Sequence, residues 1–145
     1  MNRWAGSAML LSGLAGCNRP ARPSEVTFVG SDFAFQGPDT VAAGPTIFRF
    51  RNAGTVTHEV DVSLLRPGIT GQRAFAAELR GAPVDSIYES DALLYVPVGD
   101  QVDMGLMVDL QPGRQYVLIC TLDTGPRKTP HVQLGMFKTL VVRQP

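Results

Sequence analysis

Gln111-Pro112-Gly113-Arg114-Gln115-Tyr116-Val117-Leu118-Ile119-Cys120 reads as a turn feeding a strand. Pro112-Gly113 supplies the turn chemistry, one residue fixing φ and the next tolerating a positive value. Tyr116 to Ile119 is then apolar at every position and not at alternate ones, the pattern of a strand covered on both faces. Such a strand belongs in the middle of a sheet and delivers Cys120 at its end. Phe137 to Val142 reads as the closing strand. Upstream, Val102, Met104, Leu106, Val108 and Leu110 share one face of another, with Gln101, Asp103 and Asp109 opposite.

Earlier segments repeat the theme. Val26-Thr27-Phe28-Val29 and Phe33-Ala34-Phe35 read as strand, and Thr46 to Arg51 alternates, with Phe48 and Phe50 on one face and Arg49 and Arg51 on the other. That alternation implies a half-buried antiparallel sheet. In His58-Glu59-Val60-Asp61-Val62-Ser63-Leu64 the even positions are apolar apart from the histidine. The odd ones are assigned to solvent, so His58 points inward at the start of a strand. Thr70 to Gly81 is the one helical stretch, an insertion with Phe75 and Leu79 at i and i+4, Thr70 as cap and Gly81 as stop. The 15 Gly and 11 Pro, spread along the chain, suit many short strands joined by turns. The expected class is all-β.

A chain of 145 residues, 44% hydrophobic and 18% charged, can bury one sizeable core but has no room for two full domains. Its 13 basic and 13 acidic residues balance, and no basic cluster exceeds pairs such as Arg127-Lys128, so nucleic acid is excluded as a partner. The first residues differ from the rest. Arg3 is followed by an uncharged run of 13 residues, Trp4 to Gly16, short of the ~20 that cross a bilayer as a helix. Positive end, apolar stretch and small residues together describe an export signal over residues 1–16. Leu14-Ala15-Gly16-Cys17 resembles the bacterial lipobox, which implies acylation of Cys17 and membrane attachment through lipid. Residues 17–24, with two prolines and two arginines among Asn18 to Ser24, read as a tether, and a single domain is expected over 25–145.

Cys17 and Cys120 are the only cysteines. With Cys17 claimed by the lipobox, Cys120 is a lone thiol in an oxidising compartment, a liability unless it is buried or held by metal. The two histidines, His58 and His131, both lie outside the signal, and Cys120, His131 and Met136 follow one another in one segment. Thiolate, thioether and two imidazoles form the donor set that favours one copper ion, with two His and one Cys near a plane and a weak axial Met. Zinc would take a fourth strong ligand or an open water position, for which no second Cys or third His is available. Met104 and Met107 read as core or surface fill, and Arg127-Lys128 as a solvated loop tip able to steer an acidic partner.

Three segments together carry a resemblance: Asn52-Ala-Gly-Thr-Val-Thr-His58, the Pro112-Gly-Arg-Gln-Tyr-Val-Leu-Ile-Cys120 strand, and His131 with Gly135-Met136 before the last strand. From Glu25 to Pro145 the chain resembles the cupredoxins, the plastocyanin and azurin group. The resemblance implies an eight-stranded Greek-key β-sandwich with type 1 copper at one end, one ligand from an early strand and three from a late loop. The carried-over ligands are His58, Cys120, His131 and Met136. His131, next to Pro130 and flanked by Val132 and Leu134, is expected nearest the surface, with Pro130, Val132 and Leu134 as the docking surface. Two departures stand out. Ten residues separate Cys120 from His131, more than in the small carriers, and Glu59 follows the first histidine where relatives tend to have a bracing Asn.

The leading expectation is one-electron transfer, with copper cycling between Cu(I) and Cu(II), among redox protein partners at a membrane facing the periplasm or cell exterior. No substrate would be transformed and no small molecule turned over. The alternatives are copper binding and delivery, for which exposed Met-rich or His-rich motifs are missing, and a metal-free interaction module. Multicopper oxidases, copper nitrite reductases and Cu/Zn dismutases need more than two histidines.

Overall fold

The computed structural model describes residues 22–99 and 105–144. The export segment, Cys17, most of the tether, and Val102 and Met104 lie outside the described residues. Along the chain run β1 (Ser24–Ser31), β2 (Ala34–Gln36), β3 (Thr40–Val41), β4 (Gly44–Asn52), β5 (His58–Leu65), α1 (Gly71–Leu79), β6 (Tyr88–Ser90), β7 (Leu93–Val96), β8 (Leu106–Leu110), β9 (Gln115–Ile119), β10 (Asp123–Thr124), β11 (Thr129–Pro130) and β12 (Phe137–Val142). One sheet has the order β2-β1-β4-β8. The other runs β3-β12-β9-β5-β6 with β7 also on β5, and β10-β11 forms a separate small hairpin. The eight expected strands are thus joined by short ones, among them the hairpin inside the long Cys120-to-His131 loop.

The inner faces of the sheets meet through side chains two residues apart on each strand. Phe28 of β1, Phe48 and Phe50 of β4, Val60, Val62 and Leu64 of β5, Tyr116 and Leu118 of β9 and Leu140 of β12 share this core. Phe28 stacks on Phe48 at 5.9 Å. As its uninterrupted apolar run predicts, β9 is buried along Tyr116–Ile119 and is flanked by β12 and β5.

Not every pairing is antiparallel. β4 runs antiparallel to β8 but parallel to β1, from Ser24↔Thr46 to Gly30↔Asn52, and β12 runs parallel to β3. Alternation reports which faces are buried, and strand direction is set by the connections. Ser24, placed in the tether by its proline-rich neighbours, is already the first residue of β1, its hydroxyl 2.9 Å from that of Thr46.

The odd positions of β5 do not face solvent. Glu59 and Ser63 are buried and Asp61 is half-buried. Part of that face is roofed by the helix: Leu65, Ala74, Ile87, Tyr88 and Val117 make a second apolar cluster. Thr70 caps α1 by accepting from the Arg73 N–H at 3.3 Å, and Gly81 ends the stretch with φ +65°. Gly71 lets the first turn sit directly on β12, since an added Cβ would lie 2.0 Å from Thr139 Oγ1. Ala74 and Gly71 face inward and Phe75 rests on Phe137, whereas Leu79 is exposed, so the i, i+4 pair does not mark the buried face.

Candidate metal centre

His58 opens β5, and the loop before it is held by side chains of the preceding strand ends. Asn52 donates through Nδ2 to the carbonyls of Val56 at 2.8 Å and Val96 at 3.1 Å, and its Oδ1 accepts from the Gly54 N–H at 2.9 Å. Asp32 accepts from the N–H and hydroxyl of Thr55 at 2.7 and 3.0 Å, bonds that hold its carboxyl below the ordinary range. Gly54 is required by contact: a Cβ there would stand 2.9 Å from His58 Nε2 and 2.6 Å from Asp32 Oδ1.

Cys120 follows β9 and is tied to the returning chain. Its N–H donates to the Met136 carbonyl at 3.3 Å and its carbonyl accepts from Val132 N–H at 2.9 Å. Pro130 leads into a 3₁₀ turn, His131–Leu134, whose first N–H donates to Leu122 O at 2.8 Å. Gly135, at φ +106°, turns the chain back so that Met136 N–H reaches the His131 carbonyl at 3.0 Å. Met136 is fully buried beside these groups.

The side chains converge. His58 Nδ1 lies 3.1 Å from His131 Nδ1, which is 3.3 Å from Cys120 Sγ. The three donor atoms all fall within 4.8 Å of one another and could hold a metal ion. All three residues are buried, and Cys120 is a free thiol. Burial lowers the pKa of both imidazoles, and for His58 the neighbouring His131 adds to the effect, so their neutral, lone-pair-bearing forms are favoured. Burial pushes the Cys120 thiol up to about 11, and a metal ion would have to displace that proton on binding. His58 Nε2 is buried without a hydrogen-bond partner among the described residues. Two neutral imidazoles and a thiol facing one another suit a soft or borderline cation.

No protein-family model matches the chain, and no curated protein matches it either. Solved structures do. The chain is similar to auracyanin A, a blue copper protein from the green thermophilic photosynthetic bacterium Chloroflexus aurantiacus. The TM-score is 0.53 and the identity 17%, over 84% of this chain and 100% of that one. Auracyanin B matches with a TM-score of 0.54 at 14% identity, over 84% and 91% of the two chains. The dithionite-reduced auracyanin of the photosynthetic bacterium Roseiflexus castenholzii gives 0.50 at 16%, over 84% and 98%. The fold is that of a cupredoxin.

Within this cupredoxin fold, His58, Cys120 and His131 come together at one end of the sandwich, with Met136 buried next to them. His131 presents no surface of its own to solvent. It is fully buried, with the Phe33 ring edge-on at 5.0 Å and Thr124 Oγ1 3.0 Å from its Nε2. The β10–β11 hairpin that carries Thr124 covers it, a physical consequence of the long ten-residue loop between Cys120 and His131. Of the expected docking residues, Val132 is buried, Pro130 is half-buried and Leu134 is exposed. Met107 is exposed on β8, as surface fill would be.

Glu59 is the residue whose role the sequence left open. Its Oε1 accepts from the N–H of Thr121 at 2.8 Å and from its hydroxyl at 2.7 Å, and its own N–H points at Cys120 Sγ at 3.5 Å. One residue after His58 thus grips the residue after Cys120, fixing the two ligand segments to each other. The available signal was that Glu59 and Thr121 are polar residues placed immediately after two candidate ligands. Phe33 carried no such signal, since only its left-handed backbone, φ +62°, marks it as held for a purpose.

Proposed function

We propose that this chain is a type 1 copper protein that passes single electrons between redox partners at a membrane surface, without turning over a substrate. The observation that carries this reading is the convergence of one donor atom each from the buried His58, Cys120 and His131 within 4.8 Å of one another. Those three, with Met136 beside them, would hold the copper ion. A copper ion held there would supply a Cu(II)/Cu(I) couple. No fourth Cys, His, Asp or Glu joins the three among the described residues, which disfavours a closed zinc site.

The chain's own contribution is rigidity and exclusion of water. Each ligand segment is hydrogen-bonded to another: Glu59 to Thr121, Cys120 to Met136 and Val132, and Met136 to His131. A pocket braced in this way keeps one geometry for both oxidation states and lowers the reorganisation that accompanies each electron. The blue copper protein named among the similar structures supports the same reading.

Export and lipid attachment through Cys17 complete the proposal, resting on the apolar run and the Leu14-Ala15-Gly16-Cys17 motif. No helix among the described residues is long and apolar enough to cross a membrane. The test is the visible spectrum of protein loaded with Cu(II). An intense thiolate-to-copper band is expected in the native chain and its loss in Cys120→Ala. Absence of the band in the native chain, or its survival in the variant, would overturn the assignment.

A further inference from the structure

The covering of His131 changes where an electron can enter or leave. Its Nε2 edge meets the hydroxyl of Thr124 at 3.0 Å, and Thr124 belongs to a hairpin in which Asp123 pairs with Pro130 and Thr124 with Thr129. The turn is closed by Lys128 N–H donating to Gly125 O at 3.2 Å. At its tip Arg127 and Lys128 are exposed, and neither makes an ion pair among the described residues. The single acidic residue of the hairpin, Asp123, sits at its base.

Lys128 adds a second, independent observation. It occupies a left-handed backbone position, φ +48°, at a point in the hairpin where glycine would fit without steric cost. A non-glycine residue is uncommon there, and a lysine kept in place of glycine points to a use for its side chain. What the side chain contributes is a cation, beside another cation, on the piece of chain that lies over the buried ligand.

We infer that the β10–β11 hairpin is the electron-transfer surface of this protein and that it docks a redox partner through an acidic face, Arg127 and Lys128 providing the attraction and Thr124 the contact to His131. The inference rests on the copper reading above. The full chain has no net formal charge, so a preference for one sign of partner must come from local groups such as these.

The test compares two outer-sphere oxidants of the reduced, copper-loaded protein at low ionic strength: anionic hexacyanoferrate(III) and cationic tris(phenanthroline)cobalt(III). Each takes one electron from the Cu(I) site, leaving Cu(II) and reduced reagent, with no bond made or broken. The ratio of the anionic to the cationic rate constant is expected to fall about tenfold in the double variant R127Q/K128G, with the visible band unchanged. In the native protein, the rate with hexacyanoferrate(III) should fall as salt is added, a readout that needs no variant. An unaltered ratio in a variant that keeps its band, or a native rate insensitive to salt, would overturn the docking inference while leaving the copper reading intact. No band on oxidation by either reagent would overturn both.

Discussion

Glu59 places a carboxyl in a buried position where Thr121 donates two hydrogen bonds to it and Cys120 Sγ lies beside its backbone N–H. Replacing it by alanine removes the acceptor for a partly buried N–H and hydroxyl, and the metal-free protein should lose about 2–3 kcal/mol in a denaturant titration. Glutamine keeps the acceptor but removes negative charge next to the thiolate. The copper-loaded Glu59→Gln variant should therefore show a higher reduction potential by voltammetry, a tenfold shift towards Cu(I) corresponding to about 59 mV. An unchanged potential would mean that Glu59 braces the site without tuning it. Asp61, on the same strand face, makes a different prediction. Burial raises its pKa to about 6, with Asp91, Glu59 and Glu78 adding repulsion against the bond donated by Ser63. The folded state holds this proton more tightly than the unfolded chain, so stability falls as pH rises from about 4 to 6 and the loss is complete above that. Asp61→Asn should be nearly neutral at pH 4 and stabilising by about 1 kcal/mol at pH 7.5, the one-unit value of ~1.4 kcal/mol and its multiples being reduced by solvent around a half-exposed group. Thermal midpoints of both proteins across that range measure it.

At the scale of elements, the helix and the hairpin are the two insertions that define this molecule. Thr70→Ala removes a cap and should cost about 1 kcal/mol. Gly71→Ala, one residue on, is expected to cost more, about 1–3 kcal/mol, because its methyl would drive into Thr139 on β12. Chemical denaturation of the two variants ranks them, and the reverse order would show that α1 does not rest on β12 in this way. The cap was legible because capping is local, written in Thr70 and Gly81. The face that the helix buries was not, because Phe75 and Leu79 have the right spacing but Gly71 and Ala74 have the right size. The same distinction holds for the strands. The doubly buried β9 and the alternating β4 follow from apolar pattern alone, whereas the parallel pairing of β1 with β4 depends on the connections between them. On β5, Glu59 and Ser63 look like solvent-facing residues until the helix and the Cys120 segment are laid over them. For the site, residue counting pointed to His58, Cys120 and His131 because few other donors exist. The covering of His131 could not be read the same way, since it depends on a hairpin whose two strands are only two residues each.

For the whole molecule, the picture is a two-sheet sandwich whose end gathers a thiol and two imidazoles from segments far apart in the chain, the histidines 73 positions apart. Loops and strand ends carry the site while the Phe28, Phe48, Leu118 and Leu140 core supplies the frame. The similarity in fold to the auracyanins, at under 20% identity, fits a frame that tolerates wide change as long as the packing between sheets is kept. What the fold does not dictate is the metal, and that is where the account can be tested most directly. X-ray absorption at the copper edge of the loaded protein reports the donors without reference to any partner. The account predicts one short copper–sulfur and two copper–nitrogen distances, with the sulfur contribution missing in Cys120→Ala; a shell of nitrogen and oxygen alone in the native protein would contradict it.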